Sequence, residues 1–487
     1  MSLRLQTRVA AVVGGVVVLS GLPSALVVPA LPPQPLGCHA HPSGPPLRYL
    51  VLFSVSAPEP DTTRTIREAC GTSTAYYPEI GVAVATSTEP RFASRLGLDR
   101  AYSAQAAAEP AGSALDNPPH HLPQVEHGRA PDRSAEQWDM ELINGPQARA
   151  VDPGSPEVVV GVLDSGIDAT HPDLTTAVDT TRSAGCLSGR PDPRSSAWRP
   201  TTSAHGTHVA GTIAAADDGR GITGVAPGVR LASVKVVDDD GFIYPEYAIC
   251  AFMWAAKVGL RIANSSYFID PWLRTCSDVS GQAIAYEAVR RAVEYATAQG
   301  VLSIAAMGNE RMDLASPPQD QRSSDTISGS PPRSVDDACD VLPAQLPGVV
   351  AVSAVGAYGD MSEYSSFGLG VVAVTAPGGD TDQRPWVSSS GCVLSTILGG
   401  YGYACGTSMA AAHASGVAAL LASSRPRAGP EELAALLRRQ ADPLPCPTHS
   451  DCTGERVNSF SGHGLVDALE AVVSHPASRP HSPDQEP

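Results

Sequence analysis

Residues 158–163 read Val-Val-Val-Gly-Val-Leu, an unbroken apolar run closed by Asp164. β-Branched side chains suit strands. A run with no polar position leaves no face for water, so it reads as a strand buried on both sides, as in parallel sheets sandwiched between helices. The following chain repeats the pattern. Val229–Val237, Arg261–Ser265 and Val301–Ala306 read as strands, while Ala248–Val258 and Gly281–Gln299, the latter followed by Gly300, read as helices. Strands alternating with helices give βαβ units, hence an α/β domain of three layers with a central, mostly parallel sheet. Asp164 is then carried to the carboxyl edge of the sheet, where open α/β folds build their sites.

Three more stretches place reactive groups beside small residues. His205-Gly-Thr-His-Val-Ala-Gly211 opens an apolar, helix-like segment. Gly406-Thr-Ser-Met-Ala410 puts Ser408 where a glycine-containing turn becomes an Ala-rich helix. Ala306-Met-Gly-Asn309 delivers an amide from the end of another apolar strand. Alone, Asp-Ser-Gly is a turn, Gly-Thr-Ser a loop and His-Gly-Thr-His a structural segment. Together, in the order Asp, His, Ser, they match one known chain order of a catalytic triad. A buried carboxylate orients and stabilises an imidazole, the imidazole takes a proton from a serine, and helix-start N–H groups receive an oxyanion. His208 lies close to the face of His205, but the pair lacks the glutamate of His-Glu-x-x-His and reads as core packing, not zinc.

These motifs identify the chain as similar to the subtilisin-like serine peptidases over roughly Gln137–Val472. The resemblance extends through Thr170-His-Pro-Asp-Leu174, Gly221-Ile-Thr-Gly-Val-Ala-Pro227, Ala263-Asn-Ser-Ser266, Ser365-Ser-Phe367 and Ala376-Pro-Gly378. It implies catalytic roles for Asp164, His205 and Ser408, an oxyanion donor in Asn309, and Ser266 on the strand that binds substrate. It also implies a polypeptide substrate, a chemistry needing no cofactor, and structural calcium at a position that no acidic loop names. Asp238-Asp-Asp240 reads as a solvated turn. Two positions depart from the family: Phe268 stands where a glycine is usual, and Ala412 where a proline is usual. A ring at Phe268 raises the alternative of a non-catalytic, blocked-cleft binding protein.

Residues 1–30 read as an export signal, with Arg4 and Arg8 ahead of the apolar run Val9–Leu19 and cleavage near Ala25 or Ala30. An uncleaved N-terminal anchor on the outer face is the alternative. Residues 31–104 alternate strand and helix (Arg48–Ser54, Thr62–Cys70, Ile80–Ala85, Pro90–Leu98) and resemble a small α+β inhibitory propeptide. Residues 105–134 read as a linker holding a self-cleavage site, with His120 and His121 solvated. Residues 135–472 form the catalytic domain, with a surface insertion at Leu314–Ala338, and residues 473–487 a disordered tail. Ten cysteines fit an oxidising compartment. The pairings expected are Cys38–Cys70, Cys392–Cys405 and Cys446–Cys452, and more weakly Cys250–Cys276 and Cys186–Cys339. A net charge of −17 argues against nucleic acid or an anionic membrane as partner.

Overall fold

The computed structural model describes residues 38, 46–107, 130–316, 335, 337–446 and 452–473. The expected signal, most of the linker with His120 and His121, most of the surface insertion, and the tail beyond residue 473 lie outside them.

The N-terminal unit runs β1 (Leu47–Leu52), α1 (Glu59–Glu68), β2 (Thr72–Tyr77), β3 (Val82–Ser87), α2 (Phe92–Leu96), β4 (Ala101–Tyr102) and α3 (Ala104–Ala107). Its antiparallel sheet has the order β2-β3-β1-β4. One face packs Tyr49, Val51, Ile66 and Phe92 into a small core of its own. The other, with Leu50, Val82 and Val84, joins the core of the larger domain. β2 was not legible in the sequence. Its Thr-Ser-Thr-Ala-Tyr-Tyr is an edge strand whose residues are none of them fully buried, so no apolar run marks it.

The larger domain opens with α4 (Trp138–Leu142) and α5 (Gly145–Val151), then β5 (Val159–Asp164), β6 (Ala184–Gly185), α6 (Ser195–Trp198), α7 (His205–Ala214), β7 (Arg230–Lys235), α8 (Pro245–Val258) and β8 (Ile262–Ser265). After these come β9 (Thr275–Cys276), α9 (Gln282–Ala298), β10 (Leu302–Ala306), β11 (Cys339–Asp340), β12 (Val350–Val355) and β13 (Val374–Pro377). The domain closes with the hairpin β14 (Val393–Ile397) and β15 (Gly400–Ala404), then α10 (Thr407–Ser424), α11 (Pro430–Arg439) and α12 (Ala468–Val472). The seven-stranded sheet β13-β12-β10-β8-β5-β7-β6 is parallel throughout.

β5 explains the layering. Val160 and Val162 face the core shared with α7 and α10, while Val159 and Leu163 face the core shared with α8 and α9. Gly161 stands where a Cβ would come within 2.5 Å of Leu260 Cδ1, so only glycine lets that side of the strand pack this closely.

Among the described residues the disulfides are Cys38–Cys70, Cys186–Cys250, Cys276–Cys339, Cys392–Cys405 and Cys446–Cys452. This corrects two expected pairings, Cys250–Cys276 and Cys186–Cys339. The β9–β11 ladder sets Cys276 directly opposite Cys339, a long-range register that spacing does not reveal. Cys186, just after β6, is left beside α8 and bonds Cys250 there.

One ion pair is completely buried. His413 Nε2 on α10 lies 3.0 Å from Asp139 Oδ2 on α4, and His413 Nδ1 lies 2.8 Å from the Met409 carbonyl. A carbonyl only accepts, so Nδ1 carries a hydrogen and Nε2 faces the carboxylate. Removing one partner strands the other. His413→Leu is expected to lower stability by about 3–5 kcal/mol in chemical denaturation, and Asp139→Leu/His413→Leu by less.

Candidate active site

Three adjacent strands end at one edge of the sheet and deliver Asp164 from β5, Ser266 just past β8, and Asn309 just past β10. His205 is the first residue of α7 and Ser408 the second of α10, so both helices start over that edge.

Asp164 is 1% exposed, and both its oxygens face His205 Nδ1, at 2.8 and 2.9 Å. Its Oδ1 also accepts from Ser165 N at 2.7 Å, which fixes the carboxylate plane. A carboxylate on Nδ1 keeps the hydrogen there and leaves Nε2 as the basic nitrogen. Ser165 Oγ in turn accepts from Gly206 N at 3.0 Å, tying the turn after β5 to the first turn of α7. A Cβ at Gly206 would lie 2.6 Å from the Gly166 carbonyl and 3.0 Å from Asp164 Cβ. That approach is why a glycine follows the histidine.

The orientation of Asn309 is decided by Thr407. Asn309 Oδ1 accepts from both Thr407 N and Thr407 Oγ1, each at 2.9 Å. A backbone N–H can only donate, so the atom facing it is the amide oxygen and Nδ2 is the free donor. Nδ2 stands 3.5 Å from the position of a Cβ on Gly406, two residues before Ser408. As the second residue of its helix, Ser408 has an N–H without an intrahelical acceptor. Two donors thus flank the serine. The Ser408 hydroxyl donates to the Ser266 carbonyl at 3.3 Å. Ser266 Oγ donates to the Ser408 carbonyl at 3.0 Å and accepts from Asn264 Nδ2. The side chain of Ser266, expected from the sequence to lie on the substrate-binding strand, therefore braces the start of α10.

The Subtilase family model matches residues 155–464, more than half of the chain. The chain belongs to the subtilase family. Fervidolysin from Fervidobacterium pennivorans is 30% identical over 360 residues, which is 70% of this chain and 44% of that protein. Subtilisin E from Bacillus subtilis (strain 168) is 33% identical over 270 residues, 55% of this chain and 56% of that protein. The chain thus spans about half the length of these relatives. Among solved structures, the epidermin leader peptide processing serine protease EpiP from Staphylococcus aureus superposes with TM-score 0.65 at 20% identity, covering 88% of this chain and 98% of that one. A protease from Pseudoalteromonas arctica superposes with TM-score 0.52 at 27% identity, covering 71% and 98%. The likeness to EpiP is one of fold.

The two departures of this subtilase are both accommodated. Phe268 is half-buried against the core on the α8–α9 side of the sheet. Ala412 is fully buried within α10, where alanine is a better helix former than proline. His208 holds the β14–β15 hairpin. Its Nε2 lies 3.2 Å from the carbonyls of both Val393 and Gly402, so it donates from Nε2. His171 and Asp173 bind the same hairpin through the Gly400 carbonyl and Tyr401 Oη, each at 2.9 Å. The Cys392–Cys405 bridge closes the hairpin just ahead of Gly406. Sequence reasoning gave no role to Ser165 and Thr407, which stand inside the motifs but act through partners distant in the chain, Gly206 and Asn309. Among the described residues, the one group of three His, Cys, Asp or Glu side chains whose ligand atoms all lie within 4.8 Å of one another is Cys276, Asp278 and Cys339. Its sulfurs are joined in a disulfide, so it does not fit calcium, which takes oxygen ligands.

Burial pulls the His205 pKa down, but the charge and hydrogen bond of Asp164 outweigh it and hold it above the ordinary 6.5. Burial and the nearby His205 charge lower His208 to about 3. Because the folded value for His205 is raised, its stabilisation is complete below the unfolded pKa and is lost as pH rises through the folded one. A histidine NMR titration is expected to show the His205 midpoint above 6.5 and a lower midpoint in Asp164→Asn, with His208 neutral until near pH 3. An unchanged His205 midpoint in the variant would contradict the pairing.

Proposed function

We propose that this subtilase is a serine endopeptidase that cleaves polypeptides through an acyl-enzyme at Ser408 and is made as an inactive, exported precursor. The observation that carries this reading is the buried Asp164 carboxylate on His205 Nδ1 at the sheet edge where the helix of Ser408 also starts, with the Asn309 amide oriented by Thr407 to leave Nδ2 as a donor. In the reaction, the Ser408 hydroxyl turns from the Ser266 carbonyl to His205 Nε2 and gives up its proton there. Its oxygen attacks the scissile carbonyl, and the resulting oxyanion accepts from Asn309 Nδ2 and the Ser408 N–H. His205 returns the proton to the leaving amine as the C–N bond breaks. Water, deprotonated by the same imidazole, then releases the acyl group. Every group used comes from the chain, the substrate or water, so the chemistry needs no cofactor. A structural calcium remains part of the proposal without an assigned position.

The N-terminal unit fits the role of inhibitor and folding partner. Arg291 on α9 donates to the carbonyls of Phe53 and Ile80 at 3.2 and 3.0 Å. Tyr77 Oη donates to the Gly189 carbonyl at 2.7 Å, and Arg48 Nη1 to the Leu187 carbonyl at 2.6 Å. Self-cleavage between Ser103 and Ser134 would release it. Five disulfides support export. Among the described residues no helix is long and apolar enough to cross a membrane. A narrower reading, a dedicated protease for one precursor peptide, is favoured by the extent of the EpiP likeness, which takes in most of both chains. The nisin leader peptidase NisP from Lactococcus lactis also shares the fold, with TM-score 0.56 at 23% identity, covering 70% of this chain and 94% of that one.

The test is the intact mass of the secreted protein, wild type beside Ser408→Ala. The wild type is expected to lose its N-terminal unit and the variant to keep it. Identical processing of both would remove the autocatalytic reading. Asn309→Ala is expected to lower kcat by about 100- to 1000-fold with little change in KM, the size of loss known for the corresponding amide of subtilisin. The acid limb of kcat/KM is expected above pH 6.5, because a protonated Nε2 cannot accept from Ser408.

A further inference from the structure

An open cavity of about 310 Å³ lies directly beside Asn309, walled by Glu310, Arg311, Glu363, Asp380 and Cys405. Its chemistry is lopsided: three carboxylates share it with one guanidinium. Arg311 pairs with Glu363 at 3.5 Å, but both side chains are about two-thirds exposed, at 66% and 70%. Such a pair is worth at most about 1 kcal/mol and yields easily to a competitor. Glu310 folds its carboxylate over Gly308, with Oε2 2.5 Å from where a Cβ would stand.

Asp380 is the unusual member. It is only 5% exposed. Oδ2 accepts from Glu363 N at 2.8 Å and Oδ1 from Asp382 N at 2.9 Å, so backbone donors hold it in place. Its side-chain hydrogen-bond partner among the described residues is the neutral amide of Gln383, 3.5 Å from Oδ2. Among the described residues no arginine, lysine or histidine forms an ion pair with it. A buried carboxylate without a countercharge is costly. Here it lines a cavity that opens beside the proposed oxyanion donor. The cavity is open, so a cation from outside has room to reach this carboxylate.

Resting on the peptidase reading above, we infer that this cavity is a specificity pocket for a cationic side chain, arginine or lysine, at a substrate position next to the scissile bond. The guest displaces Arg311 from Glu363 and meets Asp380 and Glu310 in a partly desolvated site, where charge pairing counts for more than at an open surface. The oxyanion donor and the pocket share Asn309 and its neighbours, so a seated cation also sets the register of the scissile carbonyl.

The experiment uses the purified secreted protein and fluorogenic peptides with a single cleavable bond. Arginine, or its neutral isostere citrulline, is placed in turn at each of the two positions before and after that bond. At one position the arginine peptide is expected to show a kcat/KM roughly 10- to 100-fold higher than the citrulline peptide. The arginine-to-citrulline ratio, taken within each protein so that a general loss of activity cancels, is expected to fall in Asp380→Asn and in Glu310→Gln. Should Asp380→Asn fail to fold, the wild-type ratio and Glu310→Gln still decide. Hydrolysis with a wild-type ratio within about threefold at every position, less than a single charge pair gives in such a site, overturns the pocket and leaves the peptidase reading intact. No hydrolysis of any peptide, with no labelling of Ser408 by a fluorophosphonate, overturns both.

Discussion

A carboxylate at the end of a strand buried on both faces needs a partner, and Asp164 has one in His205. The rest of the site is arranged around that pairing. The turn 164–166 must pass under the first turn of α7 closely enough for Ser165 Oγ to take the Gly206 N–H, which forbids any side chain at Gly206. Burial of Asp164 makes the pair strong enough to override the desolvation of His205 and raise its pKa. The imidazole thereby keeps one tautomer and offers Nε2 to the cleft.

The Ser408 end of the site is held by a separate set of contacts, and these are mostly polar. Thr407 uses both its N–H and its hydroxyl to fix the Asn309 oxygen. Behind α7, a Cβ at Gly211 would fall 2.2 Å from Thr396 Oγ1, so the helix lies directly on the β14–β15 hairpin. His208, His171 and the Cys392–Cys405 bridge hold that hairpin from three directions. His208 does this as a neutral ring, its Nε2–H donating to two carbonyls. The proposed oxyanion donors are therefore positioned before any substrate arrives, which is what electrostatic stabilisation of a transition state requires.

The N-terminal unit sets half-buried groups of its own against buried ones of the larger domain. Arg48 sits 3.7 Å from Glu246, which is 2% exposed and whose carboxyl burial pushes up to about 7, and it lies over the Tyr247 ring. Tyr102 packs against Trp272 and beside Gly281 at the start of α9. Removing the unit would return these groups to water, which fits a domain that is made to fold against its partner.

The sequence by itself determined the layers and the residues gathered at the candidate site. The valines of 158–162 admit no exposed face, so a parallel sheet between helices follows from them. The four motifs name Asp164, His205, Asn309 and Ser408 because each reactive residue ends a strand or starts a helix, and those termini are local properties. The polar edge strand β2 escaped because its burial is partial and leaves no period. The pairings of Cys186 and Cys276 escaped because disulfides depend on which distant strands align. Only the tertiary structure decided that Ser266 braces α10 through its side chain and that Thr407 orients Asn309. Each of these is a contact between segments far apart in the chain, made by polar groups whose partners no local pattern encodes.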